Sequence, residues 1–340
     1  MSAVSTQATA GPKPLGPVPQ ALRTYFRGIG QVMFQCNAWT GLLFLAGIFW
    51  GSYECHLPQV AWGAVVGTIA STLAGYPLRG KAADSGEGLW GFNGVLVGCA
   101  FPTFLENTWQ MWVALIICAA MTTWVRRAFN NVMAPWKVNS LTFPFVFLTW
   151  LFLFAAKYLD TMSPDALSTA VLAETFHGTE GLDMSFHSLL IYWMKGISQV
   201  FLVNSWVTGV FFIAALAVSS RWAAAWAAIG SAISLALAII FGAPASDISA
   251  GLFGFSPVLT GIAIGCTFYK PNLRSAIWAV IAIVATFFIQ AGMDGMMMPF
   301  GLPTLTGPFC VTTWLFLLPL YEMDKLNPNA VDHSDWNNKK

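Results

Sequence analysis

Two threonines and two prolines recur in one shared pattern. "LTFPFVFLTWLF", from Leu141 to Phe152, and "LTGPFCVTTWLF", from Leu305 to Phe316, agree at eight of twelve positions. Thr142 and Thr306 each stand two residues before a proline, and a hydroxyl both donates and accepts hydrogen bonds. If the flanking residues are helical, Pro144 and Pro308 leave the carbonyls of Ser140 and Thr304 without their usual donor. Such oxygens suit a solute rich in N–H groups passing along a narrow polar file. The plainer alternative is a kinked, packed helix whose threonine bonds back to its own backbone.

A second duplicated stretch offers a different chemistry. "GLWGFNGVLVGCAF" (Gly88 to Phe101) matches "GLFGFSPVLTGIAI" (Gly251 to Ile264) at eight of fourteen positions. Phe92 and Phe255 are candidates for facing aromatic walls of a slot, which admits a flat molecule and rejects a bulky or hydrated one. Leu96 and Leu259 follow four residues later, on the same helical face, and either line that slot or belong to the core. The glycines allow close backbone approach, or they serve ordinary small-residue helix packing, as Gly98 and Gly261 do in either case. A third pair, "QVMFQCNAWTG" from Gln31 and "QVFLVNSWVTG" from Gln199, aligns without gaps. Gln31 and Gln199 stand at segment entrances, where an amide can recognise another amide or simply sit at the interface.

What these segments lack narrows the cargo. Apart from near their ends they hold no Asp, Glu, Lys, Arg or His, so they offer no proton relay, counter-charge or metal site and the solute is expected to be neutral. His56, His177 and His187 fall in or beside loops and His333 in the C-terminal tail. The six cysteines are scattered, with neither a disulfide framework nor metal spacing. No HExxH, GxSxG or clustered carboxylates occur in the apolar stretches, so we expect no enzyme, no catalytic residue and no cofactor. A net charge of +1 without a basic cluster argues against nucleic acid as a partner.

The elements that must position these residues are membrane helices. Of 340 residues 56% are hydrophobic and 9% charged, far below the roughly 25% charged residues of a soluble domain. Apolar stretches lie near 35–55, 60–77, 88–105, 108–125 and 138–157, then near 203–220, 222–242, 251–268, 275–293 and 305–321. Several are too short for a full helical crossing, and broken or half helices survive at membrane depth only beside protein or a water-filled cavity. The three repeated motifs keep their order at offsets of 168, 163 and 164 residues. One ancestral unit, duplicated, explains that. Five segments per unit is odd, so the second unit is inverted, which predicts an all-α membrane protein of ten transmembrane segments as two inverted five-segment repeats around a central pore. Fourteen of the sixteen Lys and Arg residues then face the cytosol together with both termini, and only Lys157 and Lys195 face outward. The expected organisation is a disordered cytosolic tail over 1–21, repeat 1 over 22–158, an acidic extracytoplasmic linker over 159–192, repeat 2 over 193–324 and a cytosolic tail over 325–340.

At these residues the sequence resembles the urea transporter family, whose members carry QV-F-x-N-N-P-type, G-L-x-G-F/Y-N-x-V-L and L-x-x-P-F motifs in two inverted repeats. The resemblance covers residues 22 to 325. It implies a homotrimer in which each protomer passes urea and close analogues passively through its own pore, in a multi-pass protein of the plasma membrane, here the bacterial inner membrane, with lipid around it. Carried over residue by residue, it implies Gln31 and Gln199 at the mouths, Phe34 and Val200 with Phe92 and Phe255 making the slots, Leu96 and Leu259 beside them, and Thr142 and Thr306 at the centre. The chain departs from N-N-P at Asn37 and Asn204, where the prolines are missing, and has Ser256 and Pro257 in the glycine motif. A channel for ammonia, ammonium or another small neutral solute is the alternative. An ion-coupled transporter would need an intramembrane charge that the sequence does not display.

Overall fold

The computed structural model describes residues 17–78, 84, 86–136, 138–171 and 178–322. Among them all regular structure is helical apart from one isolated bridge between Leu105 and Pro164. The first half supplies α1 (Pro17–Gly30), α2 (Ala38–Glu54), α3 (Pro58–Gly75), α4 (Phe92–Phe104), α5 (Trp109–Met133) and α6 (Phe143–Tyr158). The second supplies α7 (Phe186–Ser198), α8 (Trp206–Ser219), α9 (Arg221–Ile240), the short α10 (Ala245–Ser249), α11 (Phe255–Ile262), α12 (Leu273–Met297) and α13 (Gly307–Glu322).

A helix occupies each of the ten apolar stretches, and three described helices lie outside them: α1, α7 and the short α10. Helix α1 begins at Pro17, so residues 17–21 are helical where a disordered tail is expected, and α7 makes residues 186–192 helical at the end of the expected linker. Ser185 caps α7 by accepting from the Ser188 N–H. The rest of the N-terminal tail, residues 172–177 of the linker with His177, and the C-terminal tail lie outside the described residues.

Helices α1 and α2 meet at a bend of 74°, and α7 and α8 at one of 71°. The cause is the same in both. A single 3-10 turn, Gln31–Met33 or Gln199–Phe201, ends in a left-handed residue, Phe34 at φ 62° or Leu202 at φ 58°. The next helix then starts on a side-chain cap. Asn37 accepts from the N–H groups of Trp39 and Thr40, and Ser205 from that of Thr208. Asn37 therefore starts α2 without the proline that the family motif carries after it.

Helices α2 and α8 pack together across the two halves. Thr40 Oγ1 donates to the Ala215 carbonyl at 2.9 Å, and Thr208 Oγ1 donates to the Gly47 carbonyl at 2.8 Å, so the seam is bonded reciprocally. Elsewhere helices approach on small residues, as at Gly98 of α4, where an added Cβ would stand 2.0 Å from the Gly63 carbonyl of α3. One apolar core runs through both halves. Among the described residues three helices are long and apolar enough to cross a membrane, or up to five spans when each bent pair counts as one. Exposed apolar side chains such as Trp62, Ile69, Ile117, Ile229 and Ile281 clothe the outside, as lipid contact requires.

Candidate transport pathway

Two cavities reach toward each other between the halves. The first vestibule, of about 70 Å³, is lined by Gln31, Val32, Phe34, Leu89, Phe92, Arg126, Asn139, Ser140, Leu141, Thr142 and Phe309. The second, of about 610 Å³, includes Gln199, Val200, Leu202, Leu252, Phe255, Phe145 and Thr306 in its wall. Thr142 closes the first and Thr306 the second. Their hydroxyl oxygens are 2.7 Å apart, and the Cys310 thiol lies 3.3 Å from Thr142 Oγ1.

The prolines have a different role from the expected one. Helix α6 starts at Phe143 and α13 at Gly307, so Pro144 and Pro308 fall in first turns, where no N–H is missed. The carbonyls of Ser140 and Thr304 are not freed. They accept from the N–H groups of Phe143 and Gly307 at 3.0 and 3.1 Å. What the motif builds is a pair of helix N-termini converging on the constriction, each directly behind a threonine. Those ends carry partial positive charge and disfavour cations there.

Backbone strain is concentrated at the same place. Of the five described non-glycine residues with positive φ, four line a vestibule: Phe34 and Leu141 the first, Leu202 and Leu305 the second. Left-handed backbone at branched or bulky residues is costly and persists only where the surroundings enforce it. Gly88 and Gly251, at φ 78° and 74°, complete the matched set.

The hydrogen bonds repeat across the halves. Gln31 Nε2 donates to the Glu87 carbonyl at 3.0 Å, and Gln199 Nε2 donates to the Ala250 carbonyl at 2.9 Å. Each amide nitrogen is thus tied to the backbone just before a positive-φ glycine, and the Gln side chains anchor the mouths rather than standing free in them. Trp150 Nε1 donates to the Pro303 carbonyl at 2.8 Å, and Trp314 Nε1 donates to the Asn139 carbonyl at 2.9 Å. In each case a tryptophan of one half holds the loop that delivers the other half's threonine.

The aromatic residues do not share one slot. Phe92 lines the first vestibule with Phe34, and Phe255 lines the second with Val200. Leu96 and Leu259 are fully buried in the core and line neither. Val32, Leu202, Phe145 and Phe309 escaped the sequence reading, although two could have been found by completing the repeat: Val32 mirrors Val200 and Leu202 mirrors Phe34, whereas Phe145 and Phe309 mirror each other.

Three charged residues at segment ends also line the cavities: Arg126 in the first vestibule, Asp247 and Asp294 in the second. Arg126 is 8% exposed, lies 3.6 Å from Asp84 and sits 5.7 Å from the centroid of the Phe92 ring. Burial pushes the Asp247 carboxyl above its ordinary value. Glu87, between α3 and α4, is pushed up by burial and then by Asp84.

Two vestibules, a hydroxyl-lined constriction and a lipid-suited exterior define a membrane transport protein. A family model, UT: Urea transporter, matches residues 22–321, so the chain belongs to the urea transporter family and is a transporter, not an enzyme. It is similar to urea transporter 1 of Ovis aries and of Capra hircus, each 31% identical over 318 residues, covering 92% of this chain and 80% of theirs. Urea transporter 1 of Rattus norvegicus is 30% identical over 318 residues, covering 92% of this chain and 79% of its own. Like its family the chain is an integral membrane protein, in keeping with its apolar helices.

Proposed function

We propose that this protein conducts urea, and close planar amides, passively down their gradient through a pore running from one vestibule to the other. The observation that carries the reading is the Thr142–Thr306 hydroxyl pair at the meeting point of the two cavities. Urea offers four N–H donors and one carbonyl acceptor. Threonine hydroxyls can accept from its amino groups and donate to its oxygen. Val32, Phe34 and Phe92 on one side, with Val200, Leu202 and Phe255 on the other, strip water from a flat solute, and binding stays weak enough for release.

The architecture that goes with this reading is ten transmembrane segments in two inverted repeats of five. Both termini are cytosolic, the second vestibule opens outward, and the protein works as a homotrimer in a bacterial inner membrane with one pore per protomer. The matched bends, caps and tryptophan bonds of the two halves support the duplication, and the distribution of Lys and Arg supports the orientation. Ammonium, the alternative cargo, is disfavoured because it would have to pass Arg126 and two helix N-termini as a cation.

Stopped-flow measurement on proteoliposomes tests the cargo. Urea flux should be linear in its gradient, indifferent to a proton or sodium gradient, and far faster than flux of glycerol or ammonium. Flux that responds to an ion gradient, or that favours ammonium over urea, would replace this reading with a coupled transporter or an ammonium channel.

A further inference from the structure

We propose that Arg126 gives the two mouths opposite preferences for charge. The first vestibule rejects planar cations of the guanidinium class, whereas the second, where Gln290 takes the equivalent place, admits them as competitors of urea. The proposal rests on the urea-channel reading above.

Arg126 and Gln290 are mates in the repeat, 164 residues apart like Thr142 and Thr306. Arg126 is the charged residue among those lining the first vestibule. Its partner Asp84 holds it from behind, at 3.6 Å, without lining that cavity, and the guanidinium lies toward the Phe92 ring. An arginine is always charged and offers donors only. Urea can turn its carbonyl oxygen to such a group. Guanidinium has urea's planar shape but no acceptor, so it would face donor against donor and like charge against like.

The second vestibule has the reverse character. Its charged lining residues are Asp247 and Asp294. Gln290 lines it too, and its Nε2 donates to the Leu252 carbonyl at 2.5 Å while its buried Oε1 has no partner. Acceptors therefore predominate at this mouth: Gln290 Oε1, and two carboxylates whose hydrogen-bond donors are hydroxyls, Ser246 Oγ to Asp247 at 3.1 Å and Thr304 Oγ1 to Asp294 at 2.7 Å. The nearby cations cancel in the comparison, because Arg27 and its mate Lys195 make equivalent bonds, to the carbonyls of Gly86 and Ser249. What distinguishes the linings of the mouths is the exchange of Arg126 for Gln290, together with that of Asn130 for Asp294; Glu87, whose mate is Ala250, does not line the first vestibule.

The test measures urea uptake into proteoliposomes of a single orientation at mildly alkaline pH. Guanidinium chloride is added to one face at a time, and choline chloride serves as the ionic control. The wild type should be blocked from one face only. Arg126→Gln should become sensitive on the other face as well, with a half-blocking concentration there lowered about tenfold or more, as loss of one nearby charge predicts. Arg126→Lys should keep the rejection, and Gln290→Arg should abolish the block on the sensitive face. Equal block from both faces in the wild type, no block from either, or unchanged sidedness in Arg126→Gln would overturn the proposal. If Arg126→Gln fails to fold, Gln290→Arg decides alone. Absence of urea flux without guanidinium would count against the cargo, not against this asymmetry. The asymmetry is then read from binding of radiolabelled guanidinium to the solubilised protein, which Gln290→Arg should lose and which, if retained there, contradicts it.

Discussion

Thr142 Oγ1 and Thr306 Oγ1 lie 2.7 Å apart, one hydroxyl from each half of the chain, where the linings of the two described vestibules come together. Each hydroxyl satisfies the other in the absence of a solute. A solute arriving with donors and an acceptor can replace that bond on both sides, so the constriction does not have to leave a buried polar group unpaired as it opens.

This reciprocity makes the two threonines energetically coupled. Thr142→Val strands the Thr306 hydroxyl and should cost about 1–3 kcal/mol of stability, whereas Thr306→Val leaves Thr142 the Cys310 thiol at 3.3 Å and should cost less. The double change removes both partners and should cost less than the sum of the singles. Unfolding midpoints in detergent for the four members of the cycle give the coupling; strict additivity would mean that the hydroxyls do not bond.

The cross-half tryptophans should matter for the same reason. Trp150→Phe frees the Pro303 carbonyl and Trp314→Phe frees that of Asn139. Each is expected to lower stability by about 1–2 kcal/mol and to slow solute flux by loosening the loop before the opposite threonine. Thermal unfolding and flux assays on the same samples check this, and full flux in Trp314→Phe would argue against a positioning role.

Gly88 and Gly251 should tolerate no side chain. At their positive φ a Cβ would stand 2.3 Å from the Gly28 N and 2.5 Å from the Gly196 N, respectively. Gly88→Ala should cost more than about 3 kcal/mol, from strain and overpacking together, and give little folded protein. Gly292→Ala in α12, where an added methyl meets nothing within 4 Å, should be stabilising by about 0.5–1 kcal/mol. Expression and size-exclusion profiles separate the two outcomes.

Asp183, just before α7, supplies a pH dependence outside the apolar helices. It accepts from Ser188 Oγ at 2.6 Å, from the Ser185 N–H at 2.8 Å and from Ser185 Oγ at 3.1 Å, which holds its carboxyl below the usual range. A depressed folded value means that the unfolded chain binds the proton more readily. The contribution is therefore present above the ordinary carboxylate pKa and is lost as pH falls through the depressed one. Wild type and Asp183→Ala should differ in unfolding temperature at neutral pH and converge in strong acid; a constant gap would show that the carboxylate charge is irrelevant.

The duplication made much of the site legible. Thr142, Thr306, Gln31, Gln199, Phe92 and Phe255 all stand in or beside the cavities because a motif written twice marks positions that the repeat must preserve. Three things escaped for physical reasons. The prolines read as mid-helix kinks because the left-handed Leu141 and Leu305, which delay the helix starts, carry no compositional signal. The bends after Gly30 and Ser198 depend on single left-handed residues that are not glycines, Phe34 and Leu202. Arg126 counted as a loop charge because its apolar run ends at Val125, whereas α5 continues to Met133 and Asp84 compensates the buried charge.

The central claim is that urea passes at the Thr142–Thr306 contact. The most direct test is stopped-flow urea uptake into proteoliposomes of the wild type and of Thr142→Val combined with Thr306→Val, matched for folded protein. The account predicts rapid urea flux in the wild type, saturating only at high concentration, and a fall of about tenfold or more in the double variant, the loss of one or two solute hydrogen bonds at the narrowest point. Undiminished urea flux through a folded double variant would contradict it.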